Sequence, residues 1–554
     1  MPKCFTATIN APNSGIYVSP RPSLLGIIER KEAKRNGGER PHNSLDFIAM
    51  KGLFMLRLLI VLIAVISTLT KIDHTFAQNL RAGVAKVDIT NREAGPVNDP
   101  LYAKALVVSD DRKTIALVSI DAVAVGEIGH IRNDYLPNVR KLVQAELGIP
   151  GDHLVVNASH CHGVVCDDVM QRTVEAIRQA HRQMVPVKIG TGVGTESRIM
   201  ENRRLILKDG SQLDVRHAYS LPSDDTVAAI GPVDPKIGVV RFDRPDGSPL
   251  AVLFQFACHP IQGAASGGNT ADLAGAASQV IEENLGAGCI ALFFQGCGGD
   301  INPVLYKDVH QPRDGNWHGT LLGLSTLKTI RQIVTQTETK FAYSHTVLEV
   351  PRANLQPRIA EMEIERERLT NNLKGTSLNL KTFLPLVVQY QLDSEYPSYY
   401  SHRYLREREL GREDLNRLDQ ENRRNIAAYI ENIETMEHLT RLQTNLALLR
   451  KHHLDNTQAP KRTIDVEVSG VRLGNFKLIT FPGELTVQIG LNIQKAHAIP
   501  ETYVSGYTNG YIYYCPTAEQ LRNVGRAQED SDCILDPAWQ EKFETLALEM
   551  LGNL

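Results

Sequence analysis

Residues 154–163 read LVVNASHCHG, an apolar run that leads directly into two histidines. The run is typical of a buried strand, and His160 and His162 follow it two positions apart. On an extended backbone, side chains two positions apart point to the same side, so both imidazoles would face one cleft. Neutral imidazole is a common ligand of Zn²⁺. A lone His-x-His motif is a weak signal and is more often a pair of structural histidines at a strand end, so further ligands have to come from elsewhere.

The bulk composition describes a globular chain without polycationic character. The 554 residues are 42% hydrophobic and 22% charged, and the formal net charge is −3. This length suits one large domain or two smaller ones. The slightly negative charge gives no reason to expect a nucleic-acid partner.

The N-terminal 77 residues are set apart from the fold. Residues 50–77 have basic positions, then the apolar run 58–66, then a small-residue cleavage site, which is the pattern of a signal peptide. We therefore expect export, to the periplasm or the medium, with a mature chain beginning near Gln78. An uncleaved membrane anchor is the alternative. Residues 1–49 lack periodicity, so we interpret them as a disordered lead or as a misplaced start, with Met50 as the true first residue.

Seven cysteines remain beyond the expected signal peptide, with no regular CxxC spacing. An exported protein can form disulfides, and the candidate pairs are Cys289–Cys297 and Cys515–Cys533. The odd count leaves at least one thiol free within a single chain.

From residue 82 onwards, strand and helix patterns alternate. We predict helices at 133–147 and 168–183, and strands at 82–90, 103–109, 114–121, 237–243, 250–257 and 289–294. This alternation predicts a mixed, layered α/β fold of the α/β/α type. We expect residues 78–554 to form one catalytic domain.

Residues 353–461 differ from the rest because they are charged and carry little strand signal. Apolar residues at helical spacing predict helices at 359–370, 406–416 and 425–452. We interpret the segment as a helical insertion or cap whose charges form a solvated face.

Polar residues follow several predicted strands at the point where each strand ends. They are His160 with His162, His259, Asp300 with Asn302, and Glu484. Strand ends of an α/β core gather at one edge, where ligands usually bind. Two histidines and a carboxylate are a sufficient set for a catalytic zinc site.

Seven motifs in order carry a resemblance to a known family: AGVAKVDIT (82–90), SHCHG (159–163), NRR (202–204), FACH (256–259), GDINP (299–303), PGE (482–484) and NGYIYY (509–514). Together they resemble the neutral/alkaline (non-lysosomal) ceramidase family over most of residues 82 to about 519. The resemblance implies a zinc-dependent amidohydrolase, with these zinc ligands: His160, His259, Glu484 and Tyr514. The spacing in the family favours Tyr514 over the neighbouring Tyr511 and Tyr513.

The resemblance also assigns roles beside the metal. It implies that His162 positions the water or the oxyanion and that Arg203 lies in the substrate site. Asn302 stands where the family's ceramidases carry a serine implicated in catalysis. An asparagine can donate to an oxyanion but cannot act as a hydroxyl nucleophile. We also expect the chain, which ends at Leu554, to lack the family's C-terminal immunoglobulin-like domain.

Both departures bear on the substrate. We expect hydrolysis of an amide in a lipid or amino-sugar-like compound, with possible peripheral membrane contact. The alternatives are an esterase or sugar N-deacetylase using the same metal site, and a non-catalytic binding protein of the cell envelope.

Other readings of individual residues stay open at this point. Cys161 and Cys258 each adjoin a candidate ligand, so a structural Cys/His zinc site is a rival, although adjacent side chains on an extended backbone point in opposite directions. Glu484 could serve a helix start, Asp300 could cap a helix or turn, and Asp121 could belong to a site or a turn. We expect four further histidines at the surface: His310, His318, His452 and His453.

Overall fold

The computed structural model describes residues 80–554, apart from 216–221, 287, 307, 309, 311, 393–400, 524–526 and the side chains of 401–404. The predicted lead (1–49) and signal peptide (50–77) lie outside the described residues. In the described part of the chain, no helix is long and apolar enough to cross a membrane.

The strands, numbered in chain order, are β1 Arg81–Asp88, β2 Tyr102–Ser109, β3 Thr114–Ile120, β4 Leu154–Ala158, β5 Val185–Pro186, β6 Lys188–Thr195, β7 Met200–Asn202, β8 Arg204–Leu207, β9 Gln212–Asp214, β10 Val227–Ile230, β11 Lys236–Asp243, β12 Pro249–Phe256, β13 Ile290–Gln295, β14 Ile301–Pro303, β15 Phe341–Pro351, β16 Thr463–Leu473, β17 Phe476–Thr480, β18 Glu484–Leu485, β19 Thr502–Ser505 and β20 Tyr514–Cys515.

The helices are α1 Tyr135–Leu147, α2 Val169–Arg182, α3 Asp272–Leu285, α4 Gly315–Ile330, α5 Gln356–Asn371, α6 Leu380–Leu392, α7 Ser401–Glu409, α8 Asp414–Gln458, α9 Val487–His497, α10 Gln528–Ser531 and α11 Trp539–Asn553.

In each of the three larger sheets, one pair of strands at an edge is parallel and all other neighbouring strands are antiparallel. The strand orders are β4-β3-β2-β1-β5, β13-β12-β11-β6 and β15-β16-β17-β19. The parallel pairs are β3/β4, β12/β13 and β17/β19. Ligands bind preferentially beyond the carboxyl ends of parallel strands. The segments after β4, β12 and β17 contain His160, His259 and Glu484, respectively.

The sheets pack on one another through a shared apolar cluster, and helices cover their other faces. The cluster contains Leu117 of the first sheet, Phe294 of the second and Phe476 of the third. Buried residues of α1 and α2, of α3 and α4, and of α9 and α11 line three further clusters. Sheets in the middle and helices outside confirm the mixed, layered α/β fold class.

Helix α2 packs directly on β1 because Gly83 has no side chain. The helix buries Val174, Ile177 and Ala180, an apolar stripe at helical spacing. A Cβ added at Gly83 would lie 2.0 Å from the Ala180 carbonyl oxygen. The close approach of helix and strand therefore depends on this glycine.

We expect Gly83→Ala to lower the free energy of unfolding by about 1–3 kcal/mol, the usual cost of overpacking a tight contact. Gly375→Ala is the matched control, since no atom lies within 4 Å of a Cβ placed there. Urea unfolding of both variants checks the prediction. Equal midpoints for the two variants would show that the contact relaxes at no cost.

Helices α5 to α8 lie in sequence between β15 and β16, which pair with each other along their whole length. Leu355, which directly precedes α5, and Met362 within α5 share an apolar cluster with Leu442 and Leu446 of α8. The prediction of one helix over 406–416 is wrong. Gly411 has a left-handed φ of 65°, so α7 ends at Glu409 and α8 begins at Asp414.

Neither candidate disulfide is present, and all seven cysteines of the described chain are free. Cys289 and Cys297 flank β13 at opposite ends, so the extended strand separates them far beyond the ~7 Å limit between bridged Cα atoms. The thiols of Cys515 and Cys533 instead point at the carbonyl oxygens of Tyr513 and Leu535.

Candidate metal centre

Three buried side chains converge after the parallel strands. The nearest ligand atoms of His160, His259 and Glu484 all lie within 4.8 Å of one another. Glu484 Oε2 is 3.1 Å from His259 Nε2 and 3.4 Å from His160 Nε2. The three residues are at most 2% exposed. Three candidate ligands distant in sequence therefore form one compact group.

The second nitrogen of each imidazole is held by the backbone. His160 Nδ1 lies 2.6 Å from the Val123 carbonyl oxygen, and His259 Nδ1 lies 3.1 Å from that of Ile301. A carbonyl oxygen only accepts, so Nδ1 carries the hydrogen in both rings and a neutral ring keeps its Nε2 lone pair towards Glu484.

Charge state and geometry both suit a divalent cation. Burial lowers the pKa of His160 to about 4, against the opposing effect of Glu484, so this ring is neutral at pH 7. Burial alone would raise the pKa of Glu484, but His160, His259 and the Tyr511 hydroxyl together lower it. Two imidazole lone pairs and a carboxylate oxygen thus face the same point, and a divalent metal fits this donor set.

The backbone at His160 differs from the extended conformation expected for the His-x-His motif. Its φ is 68°, in the left-handed region, where a non-glycine residue is uncommon. The amide of His160 donates to the Ala122 carbonyl oxygen at 2.9 Å, which fixes this turn. The rings of His160 and His162 are still brought together, with centroids 5.6 Å apart. His162 is exposed, whereas His160 is buried.

Two tyrosine hydroxyls contact the carboxylate of Glu484. Tyr507 donates to Oε2 at 3.3 Å, and Tyr511 donates to Oε1. Sequence reasoning missed Tyr507 and ranked Tyr511 below its neighbour. Tyr514 pairs with Glu484 through the backbone of β18 and β20, and its ring lies 5.5 Å from the Arg203 guanidinium. Its role as a ligand stays a prediction.

The structure brings Arg203 and Asn302 together beside this centre. Arg203 Nη1 donates to Asn302 Oδ1 at 3.2 Å, and Nη2 donates to the Gly299 carbonyl oxygen at 2.5 Å. Its Nε donates to Glu529 Oε1 at 2.5 Å. Sequence reasoning missed Glu529. The signal was the adjacent pair Arg203-Arg204, because two buried arginines require buried carboxylates.

The open alternatives resolve towards structural roles. Asp300 Oδ1 accepts from the backbone amide of Val487 at 2.8 Å, so it caps the start of α9. Asp121 accepts from the Tyr102 amide at 2.9 Å. Burial raises the pKa of Cys161 and of Cys258, and in the described chain neither cysteine belongs to the candidate ligand group.

Two histidines expected at the surface are buried. His318 bonds the carbonyl oxygens of Asp314 and Val304, and His452 Nε2 lies 2.7 Å from Asp532 Oδ1. Asp314 is a local partner at the start of the same helix, whereas Val304 and Asp532 are brought to these histidines by the tertiary structure. His310 is exposed and His453 is half-buried.

A cavity of about 640 Å³ opens next to the centre. Its lining includes His162 and Pro260, each of which lies close in sequence to a candidate ligand, together with Asp272, Tyr306 and Arg313. A pocket of this size accommodates a small-molecule ligand.

No known family profile and no curated protein matches the sequence. The structure, however, is similar to solved ones. A neutral ceramidase from Pseudomonas aeruginosa superposes with a TM-score of 0.53 at 15% identity, over 85% of this chain and 74% of that chain. The fold is ceramidase-like. A structure described as a ceramidase complexed with C2 superposes with a TM-score of 0.53 at 16% identity, over 85% of this chain and 75% of that chain. This likeness establishes the fold.

Proposed function

We propose that this protein is an exported zinc-dependent hydrolase of the neutral ceramidase family that cleaves an N-acyl amide bond in a lipid or amino-sugar-like substrate. The observation that carries the proposal is the buried convergence of His160, His259 and Glu484 at the ends of parallel strands. The ceramidase-like fold supports it.

The chain's own residues divide the work of binding and orientation. Zinc would be held by His160 Nε2, His259 Nε2 and Glu484 Oε2, with the Tyr514 hydroxyl as the fourth predicted ligand. When bound, zinc supplies an activated water nucleophile at neutral pH and polarises a carbonyl group. The carbonyl oxygens of Val123 and Ile301 hold the two imidazoles in the required orientation.

His162 and Arg203 act on the substrate side. The His162 imidazole lines the cavity, where it can accept a proton from the nucleophile and return it to the leaving amine. The Arg203 guanidinium contributes positive charge beside the centre, which stabilises negative charge on the carbonyl oxygen as the amide is attacked.

Metal analysis combined with a substrate panel tests the function. We expect the purified chain to bind one zinc ion and to hydrolyse a fluorogenic short-chain ceramide, with activity lost on chelation and restored by Zn²⁺. The panel includes an N-acetylated amino sugar and a matched ester, which distinguish amide from ester hydrolysis. A metal-free protein that hydrolyses none of these compounds would refute the proposal and favour a binding role.

We expect His162→Ala to retain zinc while kcat falls by about 100-fold or more, because proton transfer typically contributes 10²–10⁴-fold. Zinc content and kcat, measured on the same sample, check this prediction. His181→Ala, in the last turn of α2, is the control and should leave both unchanged, since no residue of this helix is among those that line the cavity. Loss of zinc from His162→Ala would instead make His162 a ligand.

A further inference from the structure

The side-chain amide of Asn302 is held in one orientation. Arg203 Nη1 donates to its Oδ1 at 3.2 Å. A guanidinium has no acceptor atom, so the amide oxygen must face Arg203 and the NH₂ group must face the other way. The residue as a whole is only 2% exposed. Its Nδ2 has no hydrogen-bond acceptor among the described residues, and it is not one of the fully buried side-chain atoms that lack a partner, so it retains some exposed surface. Two N–H donors are therefore available to a ligand.

This amide belongs to the segment that holds a candidate zinc ligand. The preceding residue, Ile301, receives hydrogen bonds from both the backbone amide and Nδ1 of His259, at 2.9 and 3.1 Å. On the other side, the Arg203 guanidinium lies over the Tyr514 ring, and Tyr514 is the backbone partner of Glu484. Asn302 thus follows the residue that holds His259 and is hydrogen-bonded to the arginine that contacts Tyr514.

The guanidinium that orients the amide is itself fixed. Glu529 Oε1 accepts from Arg203 Nε at 2.5 Å, and the Gly299 carbonyl oxygen accepts from Nη2 at the same distance. Glu529 is completely buried, so this ion pair is shielded from water. A guanidinium held at two further atoms prevents the amide of Asn302 from turning over.

We propose that Asn302 is a catalytic donor whose Nδ2–H groups bind the carbonyl oxygen of the scissile bond, and that Arg203 and Glu529 are positioning residues for it. The inference rests on the proposed function. Water oxygen bonds to the carbonyl carbon, the carbon–nitrogen bond breaks, and the proton lost by water goes to the leaving amine. Asn302 transfers no proton and forms no bond, so no acyl-enzyme forms at this position.

Replacing the donor tests the catalytic role. In the zinc-loaded full-length chain, we expect Asn302→Ala to lower kcat by about 10²–10³-fold, the usual cost of losing one oxyanion donor. Asn302→Asp keeps an acceptor for Arg203 but turns a negative oxygen towards the substrate, so its loss should be at least as large. Asn302→Ser restores a donor and should recover part of the rate.

Binding of acetohydroxamate gives a readout that does not depend on turnover. Calorimetry should show at least about tenfold weaker binding to Asn302→Asp than to the unaltered chain, at equal zinc content. Equal affinity and equal kcat would overturn the donor role while leaving the hydrolase intact. An unaltered chain that holds zinc but neither hydrolyses the panel nor binds the probe would instead overturn the proposed function, and this inference with it.

The positioning role predicts a particular pattern of non-additivity. Glu529→Gln should lower kcat by about tenfold with KM within about twofold, and the loss should disappear when Asn302 is already alanine. Arg203→Lys gives the same test if Glu529→Gln fails to fold. Losses that add up in the double variant would show that Glu529 supports the fold only and would overturn its positioning role.

Discussion

His259→Ala should lose its zinc and, with it, at least about 10³-fold in hydrolytic rate. Removing this imidazole takes away one of the three converging candidate ligand atoms, the one that lies 3.1 Å from Glu484 Oε2. Changes to residues that only orient a metal ligand typically cost about 10–100-fold in metal affinity, so loss of a ligand should cost at least about 100-fold. Zinc content after dialysis against a weak chelator, followed by a rate measurement, checks both expectations.

The companion variants separate metal binding from folding. His160 and His259 are equivalent in one respect: a backbone carbonyl group, of Val123 or Ile301, holds Nδ1 of each imidazole. We therefore expect His160→Ala to lose zinc to the same extent as His259→Ala. His162→Ala should keep its zinc. If His259→Ala binds zinc as tightly as the unaltered chain at the same unfolding midpoint, the assignment of the centre is wrong.

The sequence was informative wherever one strong local signal decided the structure. The apolar run before His160 and those before His259 and Gln295 became β4, β12 and β13 at nearly the predicted bounds. These strands are buried on both faces, which continuous apolar runs indicate. The association of His160 with distant His259 and Glu484 came from the order of the motifs, because local periodicity carries no information about which strand ends meet.

The misplaced His452 and the missed Tyr507 and Tyr511 share one physical origin, which is dependence on contacts far apart in sequence. His452 lies on a charged helix whose pattern looks solvated, but Asp532 and Tyr513 pack against it. Tyr507 and Tyr511 lie in a loop with irregular backbone, including a φ of 54° at Tyr507, so no periodic pattern shows where their hydroxyls point. Such loops gain their geometry from the scaffold that surrounds them.

The second large expected effect is on stability. Arg204→Met should lower the free energy of unfolding by about 3–5 kcal/mol, the usual cost of breaking a buried ion pair. Arg204 binds Asp530 with both terminal nitrogens, at 2.6 and 3.1 Å, and lies 3.4 Å from Glu529 and 3.9 Å from Asp300. All four side chains are buried. Methionine has a similar volume, so the penalty comes from uncompensated carboxylates and not from a cavity.

The pH dependence identifies those carboxylates as the cause. Burial raises the pKa of Asp530 and of Asp300 even while Arg204 opposes it, so the pKa values should rise further in the variant. A carboxyl whose folded pKa exceeds its unfolded pKa stabilises the protein as it binds a proton, so the deficit should shrink between pH 7.5 and pH 5. Urea midpoints at both pH values measure this change.

Arg368→Met, which breaks the exposed pair with Glu365, is the control and should shift neither midpoint appreciably. A deficit that is equal at both pH values would assign the loss to packing and not to charge.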